Sequence, residues 1–424
     1  MTDSQHEEAL DLLAGHRGQE LLSGLAPADL RGPRLPATVQ RLRSAWPPDV
    51  VSLAIDLVAG QAAARRKFGS NPPRWYTPTA LQQASSAATA AHRARRLAPF
   101  SPILEFCAGL GGDTLVLARA GASVTTYEAD PLLAAMLGRN LAEAGLDQNV
   151  QSHSAPARSA ALDGFAALYA DPSRRSSARR SNSLDALAPS IEFLRDAINR
   201  VPAAALKLSP ATPLPALHDV FPDAEIEFVS VAGELREAVI WAGALNSAAA
   251  ATFRATILAG DPAAAPLAEL ADEPGPYLPV EPVGPYIAES DPALIRSGLF
   301  NAFAESTGIA HARLAQQIAF LTSATVPDSP FARYYRVIDA LPFSERAIAA
   351  RLRQLNCGEI TVRCRGFPEP GHVVAARLQT KLGGDIPHRL FIYRSGDRHH
   401  VVIAAHQPTT AGAATSANLS PANP

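Results

Sequence analysis

The sequence contains few cysteines and no long apolar run. Three cysteines occur among 424 residues, at positions 107, 357 and 364. An odd, sparse set argues against a disulfide framework and favours a reducing compartment, and the spacing of the last two is not that of a zinc site, so we expect no bound metal. No run approaches eighteen apolar residues, and the first residues lack the apolar core of a signal peptide, which argues against a membrane protein. A cytoplasmic protein is therefore expected.

Acidic residues are absent from positions 61–99, although the whole chain has a formal net charge of −2. Trp75 and Tyr76 lie in this segment among seven cations: Arg65, Arg66, Lys67, Arg74, Arg93, Arg95 and Arg96. Basic and aromatic side chains together suit phosphate binding and base stacking, which favours a nucleic-acid partner. A solvated helix face beside a packed aromatic pair explains the same pattern. A second basic stretch, 346–398, has ten Lys or Arg against four acids.

The length of the chain predicts two or three domains. Apolar residues at helical spacing dominate its first part, whereas residues 260–292 hold eight prolines and seven acids but no Lys or Arg. These changes predict an N-terminal helical region (1–97), an α/β domain (98–260), a Pro-rich acidic linker (261–292), a smaller α/β domain (293–406) and a disordered tail (407–424).

A strand–turn–helix pattern carries the clearest functional signal. The apolar run Ile103–Phe106 precedes glycines at positions 109, 111 and 112, and a helical stretch follows from Thr114. Glycines permit a sharp turn and let a ligand approach the backbone, and the helix start offers free N–H groups to an anion. The next predicted strand ends in Glu128, nineteen residues after Gly109, close to the ~20-residue spacing at which an acid binds a ribose. The pattern predicts a nucleotide-type site.

Glu105 stands four residues before Gly109, and the third glycine of the dinucleotide fingerprint is missing. This E-x-x-x-G-x-G-G pattern resembles the first motif of the class I S-adenosylmethionine (SAM) methyltransferases. The resemblance implies SAM as the cofactor, with Glu105 near its methionine amino group, Gly109 and Gly111 beneath it, and Glu128 on its ribose. It also implies further cofactor-binding residues: Ala108, Gly112, Asp113, Ala129 and Asp171. The alternatives are another nucleotide, or an ordinary corner of an α/β sheet.

Polar side chains end four of the predicted strands: Glu105, Glu128, Asp171 and Lys207. Ligands bind beyond the carboxyl ends of the strands in a doubly wound sheet, so we expect these groups to surround one site. After the third strand, near 149–153, Ser154 or Ala155 takes the place of the acid that would bind the adenine amino group in this family.

Asp171-Pro-Ser-Arg-Arg175 stands where amino-group methyltransferases carry D/N-P-P-Y/F, with Arg174 in place of the aromatic residue. Arg174 and Arg175 can stack or bind phosphate, and Lys207 adds a cation. The alternative is an Asp-Pro turn followed by a solvated loop, with Lys207 pointing into water.

Four segments together resemble a bacterial family in which a class I SAM methyltransferase domain precedes a THUMP-like domain: CAGLGGD (107–113), YADPSRR (169–175), LKLSP (206–210) and FVSVAGELREAVIW (228–241). The resemblance implies an α/β fold: a doubly wound, seven-stranded class I methyltransferase sheet with an N-terminal helical region and a smaller C-terminal α/β domain. THUMP domains in turn imply RNA binding.

We therefore expect a SAM-dependent methyltransferase that acts on structured RNA, either tRNA or rRNA. Asp171 would orient the acceptor, and the cations Arg174, Arg175 and Lys207 would hold phosphate. RNA would also contact the basic segment 61–99 and the C-terminal domain. A catalytically silent SAM- or RNA-binding module and a small-molecule methyltransferase are the alternatives.

Overall fold

The computed structural model describes residues 3–30, 32–68, 72, 75–174, 184–246 and 253–410. The chain forms two compact units. The first comprises residues 1–231, 236–251 and 258–265, and the second comprises 232–235, 252–257 and 266–424. The predicted N-terminal helical region thus lies in the same unit as the predicted SAM-binding domain. The domain limits proposed from composition remain predictions.

Ten helices of the first unit are described: α1 (Asp3–Ala14), α2 (His16–Gly24), α3 (Arg34–Arg43), α4 (Pro48–Phe68), α5 (Pro78–Gln83), α6 (Ala87–Leu97), α7 (Thr114–Arg119), α8 (Pro131–Ala144), α9 (Ile191–Ile198) and α10 (Leu214–Val220). Local sequence explains α8 well. The Asp130 side chain accepts the N–H groups of Leu132 and Leu133, Pro131 fits the first turn, and Gly145 ends the helix with φ +67°.

Nine strands begin in the first part of the chain: β1 (Ile103–Phe106), β2 (Val124–Glu128), β3 (Val150–Ser154), β4 (Ala167–Ala170), β5 (Ser173–Arg174), β6 (Leu187–Ala188), β7 (Ala203–Leu208), β8 (Glu225–Val231) and β9 (Glu234–Gly243). Seven of them lie in the order β8-β9-β7-β4-β1-β2-β3. From β3 to β7 neighbouring strands are parallel, and β9 runs antiparallel to β7. The carboxyl ends of β1, β2, β4 and β7 therefore meet at one edge of the sheet.

The strands β8 and β9 form a hairpin at this end of the sheet. Only Ala232 and Gly233 separate β8 from β9, and both have positive φ (52° and 77°), as a two-residue turn of this hand requires. The central strands β1 and β4 are buried along their whole length, which explains why their residues apart from Glu105 are apolar or aromatic. The doubly wound α/β sheet that the resemblance implied is thus present.

The second unit contains β11 (Ala268–Asp272), β12 (Tyr286–Ser290), α11 (Pro292–Ser297), α12 (Phe300–Thr307), β13 (His311–Arg313), β14 (Phe320–Ser323), β15 (Ala332–Pro342), α13 (Glu345–Gln354), β16 (Cys357–Arg365), α14 (Gly371–Gln379), β17 (Ile386–Ser395) and β18 (Arg398–Ala405). Before them, β10 (Phe253–Leu258) pairs antiparallel with β11. The larger sheet of the unit has the order β13-β14-β12-β15-β18-β17-β16.

Several elements of the second unit were not predicted from the sequence. The segment 261–292, interpreted as a Pro-rich linker, contains β11 and β12, because prolines that flank short strands resemble an extended strap. The helices α11 and α12 are separated at Gly298, which adopts φ +75°. The long strand β15 and the helix α14 were not predicted. Among the described residues, no helix has the length and apolar character that crossing a membrane requires.

Candidate functional site

The turn after β1 is built by residues with left-handed backbone angles. Gly109 and Gly111 have φ +55° and +84°, a region where side chains are strained. A Cβ added to Gly111 would lie 2.3 Å from Leu137 Cδ1, whereas one added to Gly109 would meet no atom within 4 Å. Gly111 is therefore needed for packing against α8. Gly109 faces open space in which a ligand can approach the backbone.

Glu128, at the end of β2, is bound to this turn. Its Oε2 accepts the N–H of Gly109 at 2.8 Å, and its Oε1 accepts the N–H of Asp130 at 2.9 Å. Burial raises the pKa of Glu128, although these backbone donors oppose the shift. A carboxylate has about four acceptor positions, so Glu128 can still accept hydroxyl donors from a ligand. The predicted pairing of turn and acid is therefore present as a direct contact.

Glu105, the acid inside β1, is 1% exposed and accepts a hydrogen bond from Thr114 Oγ1 at 2.7 Å. Burial raises the pKa of Glu105 to about 8, and the nearby charge of Asp113 adds to the shift. At neutral pH this carboxyl group is therefore largely protonated in the protein without ligand. A cation placed beside it would favour the ionised form.

Asp113 is engaged within the protein. Its carboxylate accepts hydrogen bonds from Ser85 Oγ at 2.9 Å and from Nε of Arg93 at 3.2 Å, and the Arg93 guanidinium also binds Glu237. Burial alone would raise the pKa of Asp113, but the charges of Arg93 and Lys207 outweigh burial and leave it below its ordinary value. Asp113 therefore fixes the end of the glycine turn to α6, which begins just after Ser85.

Several cations of the basic segment 61–99 are engaged within the protein and do not form the nucleic-acid surface that their charge suggested. Arg93 is 1% exposed, Arg96 is paired with Glu225 at 2.7 Å, and the Lys67 ammonium donates to the carbonyls of Leu81 and Ala84. Arg74 lies outside the described residues. Of the six described cations of this segment, three are exposed: Arg65, Arg66 and Arg95.

The aromatic pair in this segment is packed, so the alternative interpretation of a packed aromatic pair is confirmed. Trp75 is 6% exposed and Tyr76 is 1% exposed, which leaves neither ring free to stack on a base. The Asn140 side chain accepts the Trp75 N–H and donates to the carbonyls of Trp75 and Leu110, each at 3.1 Å. The upstream helical region is thereby attached to α8 and to the glycine turn.

The same region covers the turn at Gly112. A Cβ placed there would lie 3.7 Å from the Cβ of Ala84 and 4.0 Å from Cζ of Phe68. Lys67, which holds the Ala84 carbonyl, has a pKa lowered to about 8 by burial and by the charges of Lys207 and Arg236. The helices before the sheet therefore form one wall of the site. No sequence motif predicted this wall.

Asp171 and Lys207 meet at the ends of the neighbouring strands β4 and β7, where they form an ion pair. Burial raises the pKa of Asp171 although Lys207 opposes this shift, and the Asp171 carboxylate raises the pKa of Lys207 against the effect of burial. Lys207 does not simply point into water, as the alternative interpretation held. The backbone of Arg174 lies in β5, which pairs antiparallel with β6; Arg175 lies outside the described residues.

The remaining predicted cofactor residues surround this turn, and together the group is suited to SAM. Ala108 is buried beside Gly109, Ala129 is exposed just after Glu128, and Ser154 ends β3 without an acid. Open space at Gly109, the Glu128 acceptor and the buried Glu105 are the features that a ligand with a ribose and a cationic amino acid end requires. Whether each residue contacts the cofactor stays a prediction.

Comparison with known proteins agrees with this geometry. Residues 34–158 match a family model of SAM-dependent methyltransferases, and residues 332–407 match a model of THUMP-like domains. An uncharacterized S-adenosylmethionine-dependent methyltransferase of Mycobacterium tuberculosis is 29% identical over 340 residues, 79% of this chain and 89% of that protein. The first match begins at residue 34, so it includes the helices α3 to α6 that precede the sheet.

There are two further similarities: one covers part of the chain, and the other concerns the fold. Ribosomal RNA small subunit methyltransferase J of Aeromonas hydrophila is 33% identical over 136 residues, which are 32% of this chain and 50% of that enzyme. A crystal structure from Porphyromonas gingivalis W83, described as that of a methyltransferase, has a TM-score of 0.72 at 19% identity and covers 94% of this chain and 98% of that one. The latter similarity shows the fold.

Proposed function

We propose that this chain, which belongs to the SAM-dependent methyltransferases and carries a C-terminal THUMP-like domain, transfers the methyl group of SAM to structured RNA in the cytoplasm. The observation that carries the proposal is the arrangement at one sheet edge: the Gly109 turn bound to Glu128 at the end of β2, and the Asp171–Lys207 pair at the ends of β4 and β7. The first provides a place for a cofactor, and the second provides a charged acceptor site beside it.

In this proposal each group of the site has a distinct role. Glu128 holds the ribose, Gly109 and Gly111 lie beneath the cofactor, and Glu105 faces its cationic amino acid end. SAM supplies an activated methyl group, so the protein has mainly to align the acceptor, which can supply ~7–11 kcal/mol in favourable cases. Asp171 accepts a hydrogen bond from the acceptor, and Lys207 positions Asp171. Arg174 and Arg175 bind phosphate.

RNA as the acceptor is supported from two sides. The partial relative in Aeromonas hydrophila is named as a ribosomal RNA methyltransferase, and the second unit of this chain matches a THUMP-like model. The basic stretch 346–398 lies within that unit. A cytoplasmic location is consistent with an RNA acceptor and with the free thiols of Cys107, Cys357 and Cys364.

The test is transfer of labelled methyl from SAM into RNA purified from cells that lack this protein. Transfer to RNA, and none when Glu128→Ala replaces the wild type, is the expected result. Label recovered only in small molecules would support a small-molecule methyltransferase and overturn the RNA acceptor. SAM binding without any transfer would instead identify a silent binding module.

A further inference from the structure

The larger sheet of the second unit is strongly curved. Glu289 of β12 and Arg363 of β16 lie four strand positions apart, which would be roughly 19 Å in a flat sheet. Yet Arg363 Nε lies 3.0 Å from Glu289 Oε1. Phe320 of β14 and Phe391 of β17, also four positions apart, pack edge to face with ring centres 5.2 Å apart. The concave face is therefore filled by apolar and aromatic side chains.

Four arginines surround Glu289 at the margin of this concave face. Arg363 and Arg389 are ion-paired with it at 3.0 and 3.7 Å, and Arg333 is its direct cross-strand neighbour. Arg365 lies two residues after Arg363 on the same face, with its guanidinium 5.7 Å from the centre of the Phe320 ring. Four cations around one carboxylate leave a local charge of about +3. We call these four residues the arginine cluster.

The side chains of the arginine cluster are held in place, but some of their charges and hydrogen-bond donors have no partner within the described residues. Arg389 lies over the Tyr335 ring at 4.7 Å, and its Nε is buried without a hydrogen-bond partner. Within the described part of the chain, no carboxylate lies at ion-pair distance from Arg333 or Arg365. Burial lowers the pKa of Arg365; the charge of Glu289 opposes this shift, and the charge of Arg363 adds to it. Bound anionic groups would relieve the repulsion and supply the missing acceptors.

We propose that the arginine cluster of Arg333, Arg363, Arg365 and Arg389 is a binding surface for the phosphodiester backbone of RNA. The inference rests on the proposed function, which it deepens by naming the surface that holds the acceptor RNA. Arg363 and Arg365 are about 7 Å apart along one strand, so each can meet a separate phosphate. A chain of phosphates matches three surplus charges better than a single small anion does.

The aromatic rings of this surface are not available to bases. Tyr335 is 2% exposed and Phe320 is 1% exposed, so they support guanidinium groups and do not stack on nucleotides. Contacts to phosphate position an RNA without reading its sequence. The second unit therefore orients the RNA and leaves choice of the methylated atom to the first unit.

Binding of a fluorescein-labelled RNA stem–loop, measured by anisotropy on the full chain, tests the inference. R363A/R365A should raise Kd at least 10-fold and reduce the slope of log K against log salt by roughly 1.4–1.8, because two phosphate contacts are lost. The control R346A/R394A removes the same charge from exposed positions of the same unit, and its Kd should stay within about 2-fold of the wild type.

E289Q distinguishes binding from a structural role. Removing the charge of Glu289, which is ion-paired with Arg363 and Arg389, should tighten RNA binding several-fold, whereas a purely structural Glu289 would give weaker or unchanged binding. E289Q and R333A also keep the test valid if R363A/R365A fails to fold, which its melting temperature would reveal; R333A should raise Kd several-fold. Kd values for R363A/R365A and R346A/R394A that agree, or a wild type that does not bind the RNA, would overturn the inference.

The outcome is separable from that of the proposed function. With a methylated RNA in hand, R363A/R365A should raise KM for RNA about 10-fold and leave kcat and the Kd for SAM unchanged. RNA binding that follows the predicted pattern without any methyl transfer would preserve the surface and refute the RNA methyltransferase. Methyl transfer to RNA that is unchanged in R363A/R365A would preserve the RNA methyltransferase and refute the binding surface.

Discussion

The guanidinium of Arg93, in the middle of α6, and the carboxylate of Asp113, at the start of α7, form an ion pair that is almost completely buried. Arg93 also binds Glu237 of β9 and Ser85, so it joins the upstream helices, the glycine turn and the antiparallel edge of the sheet. Its guanidinium lies 5.6 Å from the centre of the Tyr169 ring. The turn that is proposed to bind SAM is therefore fixed from a helix that precedes the sheet.

We expect Arg93→Met to destabilise the protein by ~3–5 kcal/mol, because it leaves two buried carboxylates, Asp113 and Glu237, without their counterion. Urea unfolding measures this loss. Arg95→Ala is the matched control: it removes the same charge from an exposed position of the same helix and should change stability by less than ~0.5 kcal/mol.

Adding Asp113→Asn and Glu237→Gln to Arg93→Met should recover part of the lost stability, since neutral partners cost less to bury. If Arg93→Met and Arg95→Ala are equally stable, the buried ion pair does not hold the turn.

The Arg93 network and the glycine turn differ in how far each can be predicted from the sequence alone. The Gly109–Glu128 contact joins residues nineteen positions apart within one strand–turn–helix–strand unit, and the pattern of that unit predicted that the turn and the acid belong to one site. The Arg93–Glu237 contact joins residues 144 positions apart, and no local pattern encodes it. Arg93 was counted in a basic surface because its charge was visible and its burial was not. A clue was available: Ala90, Ala94 and Leu97 place Arg93 on the apolar side of its helix.

Tertiary packing also determines whether the aromatic pair is buried and how the sheet of the second unit curves, and neither can be derived from the sequence. Trp75 and Tyr76 suit stacking or packing equally well, and only the contacts of Asn140 show that the segment is packed. The basic character of 346–398 was evident, but the curvature that brings Arg363 of β16 to Glu289 of β12 depends on strand order. Strand order over seven strands does not follow from the period of apolar residues.

Gly109→Ala should separate folding from cofactor binding. Because φ is +55° and the space around the added Cβ is empty, the substitution should cost about 1–2 kcal/mol of stability. The methyl group would however project into the space proposed for SAM, so the Kd for SAM measured by calorimetry should rise more than about 10-fold.

Gly121→Ala is the matched control, since Gly121 has φ +88°, also has no atom within 4 Å of an added Cβ, and follows α7 away from the site. It should cost a similar stability and leave SAM affinity unchanged. Equal SAM affinity in both variants would place the cofactor elsewhere.

Glu105 should make stability depend on pH in a defined direction. Its pKa is about 8 in the folded protein and about 4.3 in an unfolded chain, so its neutral form stabilises the fold. This contribution is complete below about pH 4 and is lost as pH rises to about 8. Glu105→Gln should therefore become progressively more stable than the wild type over that range, by on the order of 5 kcal/mol at pH 8, and the difference should level off above it.

The measurement is the difference between the two unfolding free energies at several pH values, which cancels the titration of the other groups. Glu192→Gln, at an exposed position of α9, is the control for loss of one carboxylate. A difference that does not change with pH would show that Glu105 is already ionised in the folded protein.

The Asp171–Lys207 pair should matter for turnover and not for cofactor affinity. Asp171→Asn keeps the shape of the side chain but removes its charge, and Lys207→Met leaves the Asp171 carboxylate without its counterion. If Asp171 orients the acceptor, both variants should lower kcat by at least about 100-fold, with the Kd for SAM within about 3-fold of the wild type. Asp196→Asn, exposed on α9, is the control for loss of one carboxylate and should keep full turnover.

The double variant Asp171→Asn/Lys207→Met should be no slower than Asp171→Asn alone, because Lys207 acts through Asp171. A double variant that is slower by the product of the two single effects would show that Lys207 contacts the acceptor itself.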